Sequence, residues 1–237
     1  MKILLKIKYI GTPFCGFQCQ KNGTAVQNVL TEASEKVFGE KCNVTGCSRT
    51  DAGVHALGFC CTVAPENSRD GWCRIPTDKI HRAYQIFLPE EISVVGAAEV
   101  GDDFHPRYAA KRKQYIYRIW DAPFENPFEK GRSMRCIFPV TEEMEERMKT
   151  AAQYFLGKHD FASFMSSGSK VTDTVRTVTD SGIYRESGGA LVFTVSADGF
   201  LYNMVRIMAG TLIDTAAGRI DPDHIPRIIE QKDRSAA

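Results

Sequence analysis

The sequence predicts an α+β chain made of two α/β halves, 1–104 and 105–237, with mainly antiparallel sheets facing a shared central cleft. Three observations carry that expectation. Apolar residues alternate with period two in some segments and recur every three to four residues in others, so strands and helices are mixed along the chain. The order strand, helix, paired strands occurs twice. Ser187-Gly188-Gly189 reads as a tight hairpin turn, which forces its flanking strands to run antiparallel.

In the first half, Ile3, Leu5, Ile7 and Tyr9 alternate with Lys2, Lys6 and Lys8 as a half-buried strand over 2–10 that ends at Gly11. The loop 11–23 is rich in Gly, Gln and aromatic residues. Thr24-x-x-Gln27 reads as a capping box opening a helix with Val26, Leu30, Ala33 and Val37 on one stripe, and Gly39 stops it. Two short strands, 42–45 and 57–63, then flank the polar loop 47–56. A polar stretch, 65–74, is expected to be exposed, followed by a helix over 78–88 and a strand over 92–98.

The second half opens with a strand over 113–120. Thr141 caps a helix over 141–156, Glu142 and Glu143 favour its positive end, and Met144, Met148, Ala152 and Phe155 face inward. Strands 175–186 and 190–196 flank the hairpin turn. The apolar segment 201–217 reads as a helix carrying Arg206, and 223–232 as a last amphipathic helix.

At 237 residues the chain suits one large domain or two small ones, and 43% hydrophobic residues is a globular composition. A net charge of +1 gives no global pull toward nucleic acid, so any such surface must be local. Eight cysteines without a signal-peptide pattern read as reduced thiols of a cytoplasmic protein, with Cys60 and Cys61 as small core residues. Their spacing contains no C-x-x-C pair, so no metal site is expected. No apolar run reaches the roughly 18 residues of a membrane span. The Asn-x-Thr matches at Asn22 and Asn43 are then fortuitous.

The loop Cys47-Ser48-Arg49-Thr50-Asp51-Ala52-Gly53-Val54-His55-Ala56 holds the strongest candidate chemistry. An Asp before Ala-Gly is ordinary turn chemistry taken alone. Arg49 and His55 beside it supply cationic or proton-donating groups of the kind that keep a reactive acid ionised.

From Ser48 to Ala56 the loop resembles the signature of the tRNA pseudouridine synthase A family. The likeness continues through Tyr9–Gln20 with Thr24-Ala25-Val26-Gln27, then Phe104-His105-Pro106-Arg107, Lys113-Gln114-Tyr115-Ile116-Tyr117 and Met204-Val205-Arg206. The resemblance implies the pseudouridine-synthase fold with an RNA-binding cleft. It also implies an isomerase that converts uridine to pseudouridine at positions 38 to 40 of the tRNA anticodon stem-loop, acting as a homodimer without a metal or small-molecule cofactor. The absence of any phosphate loop or dinucleotide motif accords with a reaction that needs no redox step or group donor.

By resemblance, Asp51 is the catalytic carboxylate, acting as nucleophile at C1′ or as base at C2′. Tyr115 stacks on the target base and is implicated in moving a proton from it, and Arg206 pairs with Asp51. Taken alone, an arginine in an apolar helix is a snorkelling side chain; here burial without a partner would be costly, so a carboxylate partner is expected. Phe17 and Gln85 stand where the family often has Trp and Asn. The family usually continues past Asp233–Ala237 into a further strand, which this sequence lacks.

Between His105 and Arg135 eight basic residues (Arg107, Lys111, Arg112, Lys113, Arg118, Lys130, Arg132, Arg135) face three acids (Asp121, Glu125, Glu129). Interleaved Tyr108, Tyr115, Tyr117 and Trp120 turn this excess of charge toward RNA, whose bases stack on aromatic faces. Arg49, His55, Arg107, Lys111, Arg112 and Lys113 are the RNA-contact candidates. Two other readings remain: a non-catalytic tRNA-binding chaperone on the same fold, and a hydrolase using paired acids, for which no second carboxylate stands near Asp51 in sequence.

Overall fold

The computed structural model describes residues 1–21, 23–67, 71–169 and 171–237. Asn22 of the first Asn-x-Thr match, and residues 68–70 of the stretch expected to be exposed, lie outside the described residues. The chain forms two compact units, Met1–Ala110 and Lys111–Ala237, each with its own hydrophobic core.

The first unit contains β1 (Lys2–Tyr9), α1 (Val26–Phe38), β2 (Cys42–Gly46), β3 (Ala56–Pro65), α2 (Ile80–Gln85), β4 (Ile92–Val100) and the short α3 (Pro106–Ala109). Its antiparallel sheet has the order β2-β3-β1-β4. Ile3, Leu5 and Ile7 of β1 are opposite Val63, Cys61 and Phe59 of β3, and all six are buried. Each such aliphatic side chain contributes roughly 1.5–3 kcal/mol by leaving water. Cys61 therefore belongs to the core, whereas Cys60, on the alternate face, is only half-buried. The segment 106–109, read from sequence as the start of the second half, packs as α3 on β2 and β3.

Helix α1 starts differently from the expectation. Ala25 is its N-cap and has no side-chain acceptor, although its own N–H is taken by Asn28 Oδ1 (3.0 Å). The first helical N–H groups, of Val26 and Gln27, bond instead to the carbonyls of Gly16 and Phe17 in the preceding loop. Gln27 is thereby released from capping: its Oε1 accepts from Cys19 N–H (2.9 Å), and its Nε2 donates to the Val44 carbonyl (2.8 Å). The helix ends at Gly39 with φ 73°, as glycine at that position permits. The helix expected over 78–88 is a 3₁₀ turn, Thr77–Lys79, followed by α2, whose buried Tyr84 shares a 2.6 Å hydrogen bond with buried Ser34 of α1.

The second unit contains β5 (Lys113–Trp120), β6 (Met134–Arg135), α4 (Glu142–Gln153), β7 (Gly157–Asp160), β8 (Val175–Arg185), β9 (Leu191–Ala197), α5 (Met204–Ala216) and α6 (Ile225–Gln231). Its sheet order is β6-β5-β9-β8-β7, antiparallel except for β5 with β6. The triple β8-β9-β5 repeats β2-β3-β1, and α4 occupies the chain position of α1, so the repeated order read from sequence is present in the topology. Thr141 Oγ1 accepts from Met144 N–H at the start of α4 (3.3 Å). Helix α5 begins at Met204 rather than Leu201 because Asn203 adopts φ 59°, which halts helical geometry there. Met204, Met208 and Leu212 of α5 join Phe193 and Val195 in the core. Both halves are thus mixed α and β around antiparallel-dominated sheets, an α+β fold.

Candidate active site

Asp51 lies in the connection between β2 and β3, and its side chain is exposed. The loop's backbone is held by a second loop, 11–17. Phe17 N–H donates to the Thr50 carbonyl (3.2 Å) and Gly53 N–H to the Phe14 carbonyl (3.2 Å), while Val54 N–H closes a turn onto the Asp51 carbonyl (3.2 Å). A hydroxyl pair, Tyr9 Oη with Thr50 Oγ1 (3.0 Å), fixes the residue before Asp51.

Glycines make this approach possible. A Cβ on Gly11 would sit 2.0 Å from the Val54 carbonyl oxygen, and one on Gly16, at φ 105°, would sit 2.4 Å from that of Thr50. Sequence reading identified the Asp51 loop but missed the loop that cradles it; the available signal was the pair Gly11 and Gly16 facing a segment that contains Gly53. Phe17 lies beneath, stacked on Phe59 with ring centroids 4.3 Å apart.

The two neighbours singled out with Asp51 differ. Arg49 is exposed, as an RNA contact requires. His55 is half-buried and its Nδ1 accepts the Gly11 N–H (3.1 Å). His55, read from sequence as a cationic or proton-donating neighbour of Asp51, thus meets the loop as an acceptor at Nδ1.

In the second unit, Tyr115 is half-buried on β5, opposite Val195 of β9, with its ring edge-to-face against Phe200 (4.9 Å). Arg206 stands in the first turn of α5 and is exposed. The sequence reading expected a buried pair with Asp51. The helix instead buries Met204, Ile207 and Met208 and turns position 206 to solvent.

The basic stretch is smaller than its composition. Arg118 is committed to Glu129 (2.8 Å) and Glu186 (2.6 Å), and Arg135 approaches Glu125 (3.8 Å). Hydrogen bonds donated to Glu129 push the Arg118 pKa up, and the same bonds hold the Glu129 carboxyl below its ordinary value. Asp121 would be raised by burial, but hydrogen bonds from Arg185 and the Val140 N–H hold it low. Arg107, Lys111, Arg112, Lys130 and Arg132 remain exposed, together with Tyr108, which is 81% exposed and lies against the His105 ring. Lys113 is half-buried. Burial pushes the Cys42 thiol up to about 12 and raises that of Cys61, which removes both from nucleophilic chemistry. Among the described residues no three His, Cys, Asp or Glu side chains converge as a metal site, and no helix is long and apolar enough to cross a membrane.

The sequence profile of the tRNA pseudouridine synthase family matches residues 6–109 and 151–237. Proteins named tRNA pseudouridine synthase A are similar across nearly the whole chain. The one from Ruminiclostridium cellulolyticum is 41% identical over 236 residues, covering 100% of this chain and 93% of the relative. That from Acetivibrio thermocellus is 42% identical over 236 residues, covering 99% and 92%. That from Clostridium botulinum is 41% identical over 237 residues, with the same coverage of 99% and 92%. With its Asp51 loop, its two antiparallel-sheet units and this likeness along its whole length, the chain belongs to the tRNA pseudouridine synthase family.

Proposed function

We propose that this chain is an isomerase that converts uridine to pseudouridine in tRNA, and that its targets are positions 38 to 40 of the anticodon stem-loop. The reaction breaks the N1–C1′ bond, turns the uracil, and joins C5 to C1′; the proton on C5 is lost and N1 gains one. Asp51 is the catalytic carboxylate. Whether it attacks C1′ or takes a proton from C2′, it must be ionised and open to a nucleotide, and the observation that carries the reading is an exposed Asp51 on a loop held by backbone hydrogen bonds.

Tyr115 serves as the base-stacking and proton-moving residue, and Arg206 as the cation serving the reacting carboxylate. A guanidinium stays charged and offers two parallel N–H groups to a carboxylate, which lowers the acid's pKa and orients it. The target base must leave its stack, at a cost of a few kcal/mol, and phosphate contacts with stacking on Tyr115 offset that cost. Arg49, Arg107, Lys111, Arg112 and Lys113 bind the RNA backbone. The enzyme works without metal or cofactor, as a homodimer in the cytoplasm.

The test is release of tritium from tRNA carrying C5-labelled uridine, followed by mapping of the modified positions. Release at one or more of positions 38 to 40 is the expected result. Tight tRNA binding with no release would make the chain a binding protein on this fold, and release elsewhere would overturn the site assignment alone.

A further inference from the structure

The joints that hold the Asp51 loop are mostly backbone to backbone, but two are made by side chains. Tyr9, at the end of β1, is 4% exposed, lies edge-to-face against Phe59 (5.9 Å), and reaches Thr50 Oγ1 with its hydroxyl (3.0 Å). His55 accepts the Gly11 N–H at Nδ1 (3.1 Å). Both spring from the same end of the β1–β3 ladder, where Tyr9 pairs with Ala56, the residue after His55. One joint lies immediately before Asp51 in the chain and the other four residues after it.

We propose that Tyr9 and His55 are positioning residues for the Asp51 carboxylate, bracing its loop against the rigid end of the sheet; this rests on the functional reading above. The imidazole is the acceptor for the Gly11 N–H, at a point where the backbone is pressed so closely on Val54 that no side chain fits. Without that acceptor the Gly11 N–H is left unpaired against Val54, and the joint between the 11–17 loop and 50–54 loosens at that end while its backbone bonds at Phe14 and Phe17 remain, so the carboxylate shifts from its place. Misplacing a reacting group by about 1 Å costs on the order of 100-fold in rate. The role of His55 is then in kcat, through Asp51, rather than in holding RNA.

The side-chain chemistry supplies a clean control. Asn carries Oδ1 on the same branch as His Nδ1 and can accept the Gly11 N–H, while Leu fills similar space and cannot. His55→Leu, His55→Asn and Tyr9→Phe are compared with the intact chain in steady-state tritium release and in amide exchange at Gly11, Gly53 and Val54. Expected are a loss of about 100-fold in kcat for His55→Leu with KM nearly unchanged, and recovery to within about tenfold of the parent for His55→Asn. Tyr9→Phe loses about tenfold in kcat. Exchange at the three amides quickens in His55→Leu and not in His55→Asn.

A rise in KM at unchanged kcat would make His55 an RNA contact and overturn the proposal. So would a His55→Asn variant as slow as His55→Leu, which would mean that the imidazole itself is used. Should His55→Leu fail to fold, the other two variants decide: an unchanged kcat in Tyr9→Phe, or His55→Asn falling about 100-fold in kcat, overturns the brace. If the parent protein releases no tritium, the functional reading falls by itself, and the amide exchange still decides whether the brace exists.

Discussion

The two units are held internally by different physics. In the first, the Asp51 loop is held by backbone hydrogen bonds to the 11–17 loop and by glycines that let the two chains nearly touch. In the second, strands β5 and β8 are tied to their surroundings by ion pairs: Arg118 with Glu129 and Glu186, Arg185 with Asp121 and Glu145. Backbone bonds between uncharged groups depend weakly on pH and salt, whereas carboxylate pairs depend on both. The backbone joints of the loop carrying the proposed chemistry therefore respond less to pH and salt than the ion pairs of the second unit.

The largest expected effect comes from disturbing the close approach of the loops. Gly16→Ala places a methyl against the Thr50 carbonyl at a positive φ, so a stability loss of about 2–4 kcal/mol is expected, with tritium release falling in parallel. Denaturant unfolding read against activity checks it; a variant as stable and active as the parent would mean that the two loops are not rigidly joined.

Next is Arg118→Met, which strands two carboxylates. The pair is partly exposed, so the loss should fall between the ~0.2–1 kcal/mol of surface pairs and the ~3–5 kcal/mol of buried ones, about 1–3 kcal/mol. Thermal unfolding in low and high salt reads it out, with the gap between variant and parent narrowing as salt rises.

Acid should separate the units. Glu129, Asp121 and Asp160 titrate below their ordinary values when folded, so folding favours their ionised forms. That stability is whole above about pH 4, where the unfolded chain's carboxyls ionise, and is lost as pH falls through the lower folded values. Amide exchange in β5, β8 and β9 is therefore expected to quicken on acidification before that in β1 and β3. Equal responses would erase the distinction drawn between the units.

The smallest effect on stability belongs to Arg206→Ala. An exposed residue that makes no cap hydrogen bond and no core contact usually changes folding free energy by about 0.5 kcal/mol or less, so this variant should melt like the parent while losing activity. A large drop in melting temperature would restore the buried-pair picture drawn from the apolar sequence around it.

Periodicity located β1 and β5 nearly to the residue and α4 to within three, because each has one face in a core and one nearer water, whereas β9, buried along both faces, was marked by its apolar run and the glycine turn before it. What it could not reach were features made by partners distant along the chain. Gln27 three residues after Thr24 has the spacing of a capping box, yet carbonyls of the 11–17 loop satisfy the helix start and free Gln27 to join Cys19 to Val44. The two-residue β6 and four-residue β7 are too short to show a period. Arg118 looked like part of an RNA surface until Glu186, outside the stretch counted, claimed it. At the site, Asp51 was legible from its own loop, whereas the cradle beneath it and the brace from His55 to Gly11 arise from residues some forty positions apart in sequence.

The central claim, that the Asp51 carboxylate performs the chemistry while the surrounding loops only hold it, is tested most directly by single-turnover tritium release from Asp51→Asn with enzyme in excess over C5-labelled tRNA. No release above the protein-free blank is expected, with melting temperature and tRNA affinity close to those of the parent, since one exposed carboxylate is small beside many phosphate contacts. Release from the folded, tRNA-bound variant at a rate near that of the parent would contradict it.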